Sequence, residues 1–189
     1  TVLGTAGGVR KMRDFIGDSP LVIVYGDVLT DMNLHDLLAF HRQVTTRDSR
    51  AGVTLSLYHV NNPTEVGLVD MDSDGRVLRF VEKPKPEEVF TDLANAGILV
   101  VEPWVIDMIP PGIFFDFRRD LFPMLLEKGV CLVGRDGRKR REPHAGRQPR
   151  AADVVGQLAH LAVVGESVIV VELEDELARV GKKVLGHPV

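Results

Sequence analysis

Asp27 is the residue of this 189-residue chain whose position points most directly to chemistry. It follows an unbroken apolar run over residues 21–25, and Gly26 leaves room beside it. Such a run is typical of a strand buried on both faces of a sheet, and ligands of open α/β sheets bind beyond the carboxyl ends of strands. A carboxylate there can hold a hard cation such as Mg²⁺, which also takes phosphate oxygens. The alternatives are that Asp27 caps the next turn or that Asp31 is the ligand.

Two further polar pairs lie where predicted strands stop or start. Glu82 and Lys83 precede Pro84, which ends a strand because proline cannot donate to the ladder. A glutamate can accept hydrogen bonds from vicinal hydroxyls, and a lysine ammonium suits a phosphate. Asn95 and Gly97 open the next strand, where an amide fits a polyol and a glycine permits close approach. The competing interpretations are a solvated charged turn and an ordinary turn, respectively.

A glycine-rich segment at residues 3–8 precedes a predicted helix over residues 9–16. Glycines at a helix start let backbone N–H groups approach a ligand, and the positive end of the helix dipole favours anions. The segment has neither the Lys-Ser/Thr of a phosphate-binding P-loop nor the spacing of a dinucleotide fingerprint. An ordinary glycine-rich turn is therefore the competing interpretation.

Composition narrows the class of protein. The chain is 44% hydrophobic and 26% charged, which is typical of a soluble globular domain, and it has no apolar run of the roughly 18 residues that a membrane span needs. A net charge of −4 gives no general reason to expect nucleic acid. The only cysteine, Cys131, cannot form an internal disulfide, which favours a reducing, cytoplasmic location. His35 and His41 are six residues apart and lack the spacing of a zinc helix.

Strand-like and helix-like segments alternate over residues 1–134, which predicts an α/β sandwich with a mostly parallel sheet. Asn33 should cap a helix whose leucines at positions 34, 37 and 38 share one face. An Asp-Gly turn at residues 74–75 predicts a hairpin. Further strands are predicted at 21–25, 53–58 and 96–101, and helical segments at 104–109 and 124–128.

The rest of the chain divides into a basic segment and a tail. Residues 135–150 carry seven basic and two acidic residues with almost nothing apolar, which indicates a linker or loop. A basic run can also bind RNA or a membrane surface, but no aromatic residue is interleaved for base stacking. The tail, residues 151–189, predicts a helix at 154–164, a strand at 167–171 and a helix at 172–183, or else a degenerate hexapeptide repeat.

Five segments in a fixed order resemble the sugar-1-phosphate nucleotidyltransferases, also called NDP-sugar pyrophosphorylases. They are Leu-Gly-Thr-Ala-Gly at 3–7, Gly-Asp at 26–27, Phe-Val-Glu-Lys-Pro at 80–84, Asn-Ala-Gly-Ile at 95–98 and Asp-Phe-Arg-Arg-Asp-Leu-Phe-Pro at 116–123. The residues of these segments most resemble those of bacterial mannose-1-phosphate guanylyltransferases, followed by those of glucose-1-phosphate thymidylyl- or uridylyltransferases. The resemblance implies a Rossmann-like three-layer sandwich and a reaction that converts an NTP and a sugar 1-phosphate to an NDP-sugar and pyrophosphate. It also implies Mg²⁺ as the cofactor and allows a homo-oligomer.

The same resemblance implies roles for individual residues. Asp27 would be the Mg²⁺ ligand and Lys83 would bind the sugar phosphate, which makes these two the catalytic residues. Glu82 would bind sugar hydroxyls, and Asn95 and Gly97 would line the sugar pocket. The residues that would hold the base and ribose are Gly4, Thr5, Ala6 and Gly7.

Two elements of that family have no counterpart in the sequence. The family's Gly-x-Gly-x-Arg loop, which cradles the triphosphate, would precede residue 1, so we expect an N-terminally truncated domain with little turnover of its own. The family's Trp-x-Asp element, whose Asp is a second metal ligand, would fall in the basic segment, whereas the only tryptophan is Trp104. The same departures would also fit a catalytically silent relative that binds an NDP-sugar and regulates a partner.

Overall fold

A computed structural model describes residues 2–28 and 30–137 and, for the backbone alone, residues 158–164 and 168–173. Its helices are α1 (Gly4–Lys11), α2 (Leu34–Arg47), α3 (Pro103–Asp107) and α4 (Phe122–Glu127). Its strands are β1 (Leu21–Tyr25), β2 (Ala51–His59), β3 (Gly67–Met71), β4 (Val77–Glu82), β5 (Leu93–Val101), β6 (Cys131–Asp136), β7 (Leu158–Val164) and β8 (Val168–Leu173). A π-helical turn (Phe117–Leu121) runs directly into α4, and short 3₁₀ turns occupy Pro63–Glu65 and Pro86–Glu88.

The described strands form one sheet. Its main path is β4-β3-β5-β1-β8-β7, while β2 pairs with both β5 and β6. Among these strands only the β2–β6 pair is parallel, and the other pairs are antiparallel. The prediction of a mostly parallel sheet is therefore wrong. An apolar run indicates that a strand is covered on both faces, but it says nothing about the direction of the neighbouring strands.

Helices cover both faces of this sheet, so the predicted three-layer sandwich is confirmed. One face packs against α1, α3 and α4 through a core that includes Val9, Ile106 and Phe122. The other face packs against α2 through Leu34, Leu37 and Leu38. Strand β1 contributes to both sides, since alternate side chains of a strand point to opposite faces: residues 21 and 23 join the first core and residue 22 joins the second.

Helix α2 is held by a side-chain cap and by one buried histidine. The Asn33 side chain accepts hydrogen bonds from the backbone N–H groups of His35 and Asp36, which confirms the predicted cap. His41 is fully buried and lies between Thr54 Oγ1 at 2.8 Å and Glu102 Oε1 at 3.1 Å. Its imidazole therefore ties α2 to the sheet, and both ring nitrogens are engaged in this structural role.

Several predicted elements are confirmed with small shifts of boundary. The hairpin around the Asp-Gly turn is β3 and β4, and Gly75 has the positive φ of +84° that this turn needs. The helix predicted over residues 9–16 is wrong in position, because α1 begins at Gly4 and ends at Lys11. The glycine-rich segment is therefore the first turn of the helix and does not precede it.

The tail is described only in part. Residues 158–164 form β7, so the helix predicted over 154–164 is wrong there, whereas the strand predicted at 167–171 is confirmed as β8. The helix predicted over 172–183 is wrong at residues 172–173, which belong to β8. The remainder of that helix, the tail beyond residue 173 and the basic segment from residue 138 onward lie outside the described residues. The domain boundaries and the hexapeptide repeat stay predictions. Within the described residues, no helix has the length and apolar content that would let it cross a membrane.

Substitution of Asn33 by alanine removes the acceptor for two N–H groups at the start of α2. We expect the free energy of unfolding to fall by about 0.5–2 kcal/mol, as for other helix caps. Urea unfolding followed by circular dichroism measures the change. Asn33→Asp retains an acceptor and serves as the control, so an equal loss in both variants would contradict the capping role.

Candidate active site

Two strands meet end to end along one edge of β5. Val24 of β1 pairs with Ile98, and Leu68 of β3 pairs with Ala94, both in antiparallel register. Strand β1 therefore ends, and β3 begins, beside residues 95–97 of β5. The end of β4 reaches the same place, because Glu82 pairs with Gly67 at the start of β3. Ligands of open α/β sheets bind beyond strand ends where the strand order changes, so this junction is the candidate ligand site.

Strand β5 itself is irregular at this junction. Its pairing with β2 shifts register between Leu55 and Leu57, which marks a bulge opposite Ser56. Gly97 has a φ of +74°, and a Cβ atom there would lie 2.9 Å from Val28 Cγ2, so only glycine fits both the backbone and the space. The Asn95 side-chain oxygen accepts the Gly97 N–H at 3.1 Å. The oxygen of Asn95 therefore stabilises the bulge, which is what the interpretation of Asn95 as a turn residue expects. This bond leaves the amide nitrogen of Asn95 available for another contact.

Glu82 places a largely buried carboxylate at this junction, and 11% of its side chain is exposed. Its Oε1 accepts from Arg118 Nη1 at 3.0 Å, while Oε2 is buried and lacks a hydrogen-bond partner among the described residues. Burial raises the pKa of this carboxyl, and Arg118 and Lys83 act in the opposite direction. Gly67 leaves space for the carboxylate, since a Cβ at that position would lie 2.7 Å from Oε2.

Arg118 also covers the aromatic ring of Tyr25, the last residue of β1. Its Cζ lies 5.5 Å from the ring centroid, within the range of a cation–π contact. The Tyr25 hydroxyl is buried, and burial raises its pKa well above the usual range. Arg118 lowers the Tyr25 pKa, while the carboxylates of Asp116, Glu82 and Asp27 raise it further.

Asp116 connects the start of α1 to the turn that carries Arg118. Its Oδ1 accepts from the backbone N–H groups of Arg118 and Arg119, which caps the π-helical turn. Its Oδ2 accepts from Thr5 Oγ1 at 2.8 Å, and the same hydroxyl accepts the Phe117 N–H at 3.0 Å. Thr5 is thereby fixed relative to the Arg118–Glu82 pair.

The glycines of α1 allow this close approach between two backbones. Gly7 N donates to Phe115 O at 2.9 Å, and a Cβ at Gly4 would lie 2.7 Å from that oxygen. Ala6 is fully buried in the core, so only its backbone could serve a ligand. Of the residues that the resemblance assigns to the base and ribose, Thr5 is the one whose side chain makes a polar contact with the remainder of the site.

Asp27 and Lys83, the two predicted catalytic residues, are exposed. Asp27 comes two residues after Tyr25, and Lys83 directly follows Glu82. Lys83 has a φ of +48°, a left-handed conformation that is costly for a residue other than glycine, and its N–H donates to Val66 O at 3.1 Å. Backbone strain of this kind concentrates at functional sites, where the surrounding structure holds it in place.

A magnesium ion would depend on Asp27 and on the substrate. In the described part of the chain, no group of three or more His, Cys, Asp or Glu side chains could hold a metal by itself. Mg²⁺ is commonly bound by one or two carboxylates, with phosphate oxygens and water completing its shell. An exposed carboxylate beyond the end of β1 fits a cation that arrives with a nucleotide.

The sequence analysis assigned no role to Tyr25, Asp116 or Arg118. Asp116 and Arg118 lie inside the motif at 116–123, and Tyr25 ends the apolar run at 21–25. An Asp two residues before an Arg pair is a recognisable helix cap. The contact between Arg118 and Glu82 joins residues far apart in the chain, and no local pattern could have signalled it.

Residues 1–139 match the family described as Nucleotidyl transferase. The chain belongs to the nucleotidyl transferase family. It is 40% identical over 131 residues to the mannose-1-phosphate guanylyltransferase of Mycobacterium tuberculosis, covering 69% of this chain and 34% of that protein. It is 36% identical over 134 residues to the UTP–glucose-1-phosphate uridylyltransferase of Synechocystis, covering 68% of this chain and 33% of that protein. This member of the family thus spans about one third of the length of the curated relatives it matches.

Solved structures show the same fold at low sequence identity. HddC from Yersinia pseudotuberculosis superimposes with a TM-score of 0.56 at 20% identity, covering 72% of this chain and 54% of that one. A Bacillus anthracis protein described as a putative glucose-1-phosphate thymidylyltransferase gives a TM-score of 0.52 at 19% identity, covering 72% of this chain and 53% of that one. The predicted Rossmann-like sandwich agrees with both.

Removal of the Thr5 hydroxyl should loosen the connection between α1 and the π-helical turn. In Thr5→Val, Asp116 Oδ2 and the Phe117 N–H each lose a partner, and we expect the free energy of unfolding to fall by about 1–3 kcal/mol. Thr5→Ser retains the hydroxyl and should lose much less. Urea unfolding of the two variants measures the difference, and equal stability of the valine variant and the wild type would contradict the assignment.

Proposed function

We propose that this chain is part of a sugar-1-phosphate nucleotidyltransferase, which converts an NTP and a sugar 1-phosphate to an NDP-sugar and pyrophosphate. The observation that carries the proposal is the junction between the end of β1 and the start of β3. A carboxylate suited to a cation, an acceptor suited to hydroxyls and an ammonium suited to phosphate all follow or end strands there, at Asp27, Glu82 and Lys83. Family membership supports the same activity.

The reaction needs no covalent enzyme intermediate. A phosphate oxygen of the sugar 1-phosphate attacks the α-phosphorus of the NTP, a new P–O bond forms, and the bond to the bridging oxygen breaks and releases pyrophosphate. Catalysis then depends on aligning the two phosphates and offsetting their charge. Lys83 would hold the sugar phosphate, Glu82 would orient the sugar ring, and the start of α1 would hold the base and ribose.

Asp27 would be the protein ligand of Mg²⁺ in this scheme. When bound, the cation offsets charge on the phosphate oxygens. The protein itself would position the substrates. Asp27, beyond the end of β1, would determine where the nucleotide phosphates lie relative to Lys83. Thr5, which is bonded to Asp116, would fix the segment assigned to the base.

For the substrates, we propose GTP and mannose 1-phosphate. The M. tuberculosis relative is named for mannose 1-phosphate and a guanylyl group, and an HddC structure is described as a complex with GMP-PN. The alternative pairs glucose 1-phosphate with UTP or dTTP, and the Synechocystis relative supports it. We place the protein in the cytoplasm, where its single thiol would remain reduced.

Binding and turnover test the function separately. Calorimetry on the 189-residue chain compares mannose 1-phosphate with glucose 1-phosphate, and we expect the mannose compound to bind more tightly. Turnover is measured as pyrophosphate release by a chimera in which residues 2–137 replace the matching part of the M. tuberculosis relative. Binding of NDP-sugar without turnover in the chimera would favour the silent regulatory relative.

Asp27→Asn in the chimera should lower kcat by about 10²–10³-fold, because an amide carries no charge with which to hold the cation. Asp31→Asn is the matched control, since it makes the same chemical change farther along the loop. The assay is pyrophosphate release across a range of Mg²⁺ concentrations. A loss of activity in the Asp31 variant alone would move the ligand assignment to that residue.

Lys83→Ala should raise the KM for the sugar 1-phosphate by about 10–100-fold and leave the KM for the NTP nearly unchanged, as expected for one lost charge-assisted hydrogen bond. Lys85→Ala removes a neighbouring exposed ammonium and is the control. Steady-state kinetics with each substrate varied in turn separates the two constants. An unchanged KM for the sugar 1-phosphate would reject the role of Lys83.

A further inference from the structure

We propose that Arg118 and Tyr25 complete the sugar subsite around Glu82, and that the free polar atoms of these three side chains bind the hydroxyl groups of a hexose 1-phosphate. Arg118 would act both as a ligand of a hydroxyl and as the positioning residue of the Glu82 carboxylate. The inference rests on the proposed function, because it names further residues of the same subsite.

The three side chains form one contact group drawn from three separate elements. Arg118 from the π-helical turn bonds Glu82 Oε1 at 3.0 Å at the end of β4, and its Cζ lies 5.5 Å from the ring centroid of Tyr25 at the end of β1. Asp116 fixes the backbone of this turn by accepting hydrogen bonds from the N–H groups of Arg118 and Arg119. The guanidinium is thus held at the place where the strand ends meet.

Each of the three side chains has one buried polar atom without a hydrogen-bond partner: the Tyr25 hydroxyl, Glu82 Oε2 and Arg118 Nε. In the part of the chain whose side chains are described, these are all of the buried side-chain nitrogen and oxygen atoms that lack one. Buried polar atoms are normally paired, since each unpaired one costs free energy. Arg118 contacts both of the other side chains, so the three atoms belong to one connected group, and we take them to mark a polar ligand that supplies the missing bonds.

The types of these atoms identify the ligand chemistry. Arg118 Nε–H is a donor, Glu82 Oε2 is an acceptor, and the Tyr25 hydroxyl can be either. A sugar hydroxyl both donates and accepts, so neighbouring hydroxyls of a hexose ring satisfy the set. A phosphate offers only acceptors to this group and would be repelled by the Glu82 carboxylate, which places the phosphate of the ligand outside the cluster.

Electrostatics gives Arg118 a second effect on the same subsite. The charged groups that act on Glu82 are Arg118, Lys83 and Arg119, which lower its pKa, and Asp116, which raises it. Burial is the largest influence and raises the pKa. Loss of Arg118 should therefore raise the pKa of Glu82 further, and the carboxylate should lose its negative charge at a higher pH than in the wild type.

Calorimetric binding of mannose 1-phosphate and of inorganic phosphate to the 189-residue chain tests the inference. We expect Arg118→Ala to raise the Kd for mannose 1-phosphate by about tenfold or more, and to leave the Kd for phosphate nearly unchanged. The weakening of mannose 1-phosphate binding on acidification should also begin at a higher pH in this variant. Arg118→Lys retains a charge beside Glu82 but lacks Nε–H, so it should restore the pH dependence and only part of the affinity.

Tyr25→Phe removes one hydroxyl and keeps the ring. We expect it to weaken mannose 1-phosphate binding by about 2–10-fold and to leave the Tm of the ligand-free chain equal or higher, because the removed group has no partner there. Arg119→Ala is the matched control for charge, since this exposed arginine is adjacent in sequence and acts on Glu82 less than Arg118 does. At neutral pH its affinity should match that of the wild type.

The outcomes separate the two proposals. Failure of the wild-type chain to bind mannose 1-phosphate or glucose 1-phosphate would overturn the proposed function and the inference together. Wild-type binding with an unchanged Kd in Arg118→Ala would overturn the inference alone. An equal loss for phosphate and mannose 1-phosphate would make Arg118 a phosphate ligand and reject the hydroxyl assignment. Should the alanine variant fail to fold, Arg118→Lys and Tyr25→Phe give the same decision, and a lower Tm for Tyr25→Phe would count against it.

Discussion

The candidate site depends on one constraint of strand pairing, namely that β1 and β3 both pair with the same edge of β5. Two strands, β1 and β3, pair along the same edge in the same direction, and neither can extend into the place occupied by the other. A bulge with a glycine at positive φ lies opposite this junction. The backbone thus creates a gap inside an otherwise continuous sheet, and the polar residues that end β1 and β4 lie beside it. The site is in this sense a consequence of strand pairing.

Much of the fold follows from local pattern, and what does not follow is long-range. Asn33, the Asp-Gly turn and the apolar run before Tyr25 each carry their own structural signal, and each forms the element that the sequence predicts. Strand direction was mispredicted because burial on both faces is common to parallel and antiparallel interior strands. The start of α1 was mispredicted because Gly4 is suited to a loop by propensity, whereas a backbone contact with residue 115 selects it for the helix.

The candidate site shows the same division. Motif order indicates Asp27, Glu82 and Lys83, since each follows or ends a strand. The partner of Glu82 is not visible in this way: Arg118 lies in a different segment, and its contact exists only because Asp116 caps the turn and Thr5 holds Asp116. A hydrogen-bonded chain therefore joins the segment assigned to the nucleotide with the carboxylate assigned to the sugar. The oxygen of Asn95 accepts the Gly97 N–H within the bulge, and the assignment of Asn95 to the sugar pocket stays a prediction.

The pairing of β1 with β5 also constrains the order in which the protein can be built. Val22 reaches its partner in β5 only when Val100 has been synthesised, and its partner in β8, Val171, comes later still. By contrast, β3 and β4 can pair as soon as their turn has emerged. During translation β1, the uncharged Leu-Val-Ile-Val-Tyr stretch, therefore remains unpaired until the chain between β1 and β5 has been synthesised. Segments of this type readily associate with other chains, so β1 is the place where self-association of nascent molecules would begin.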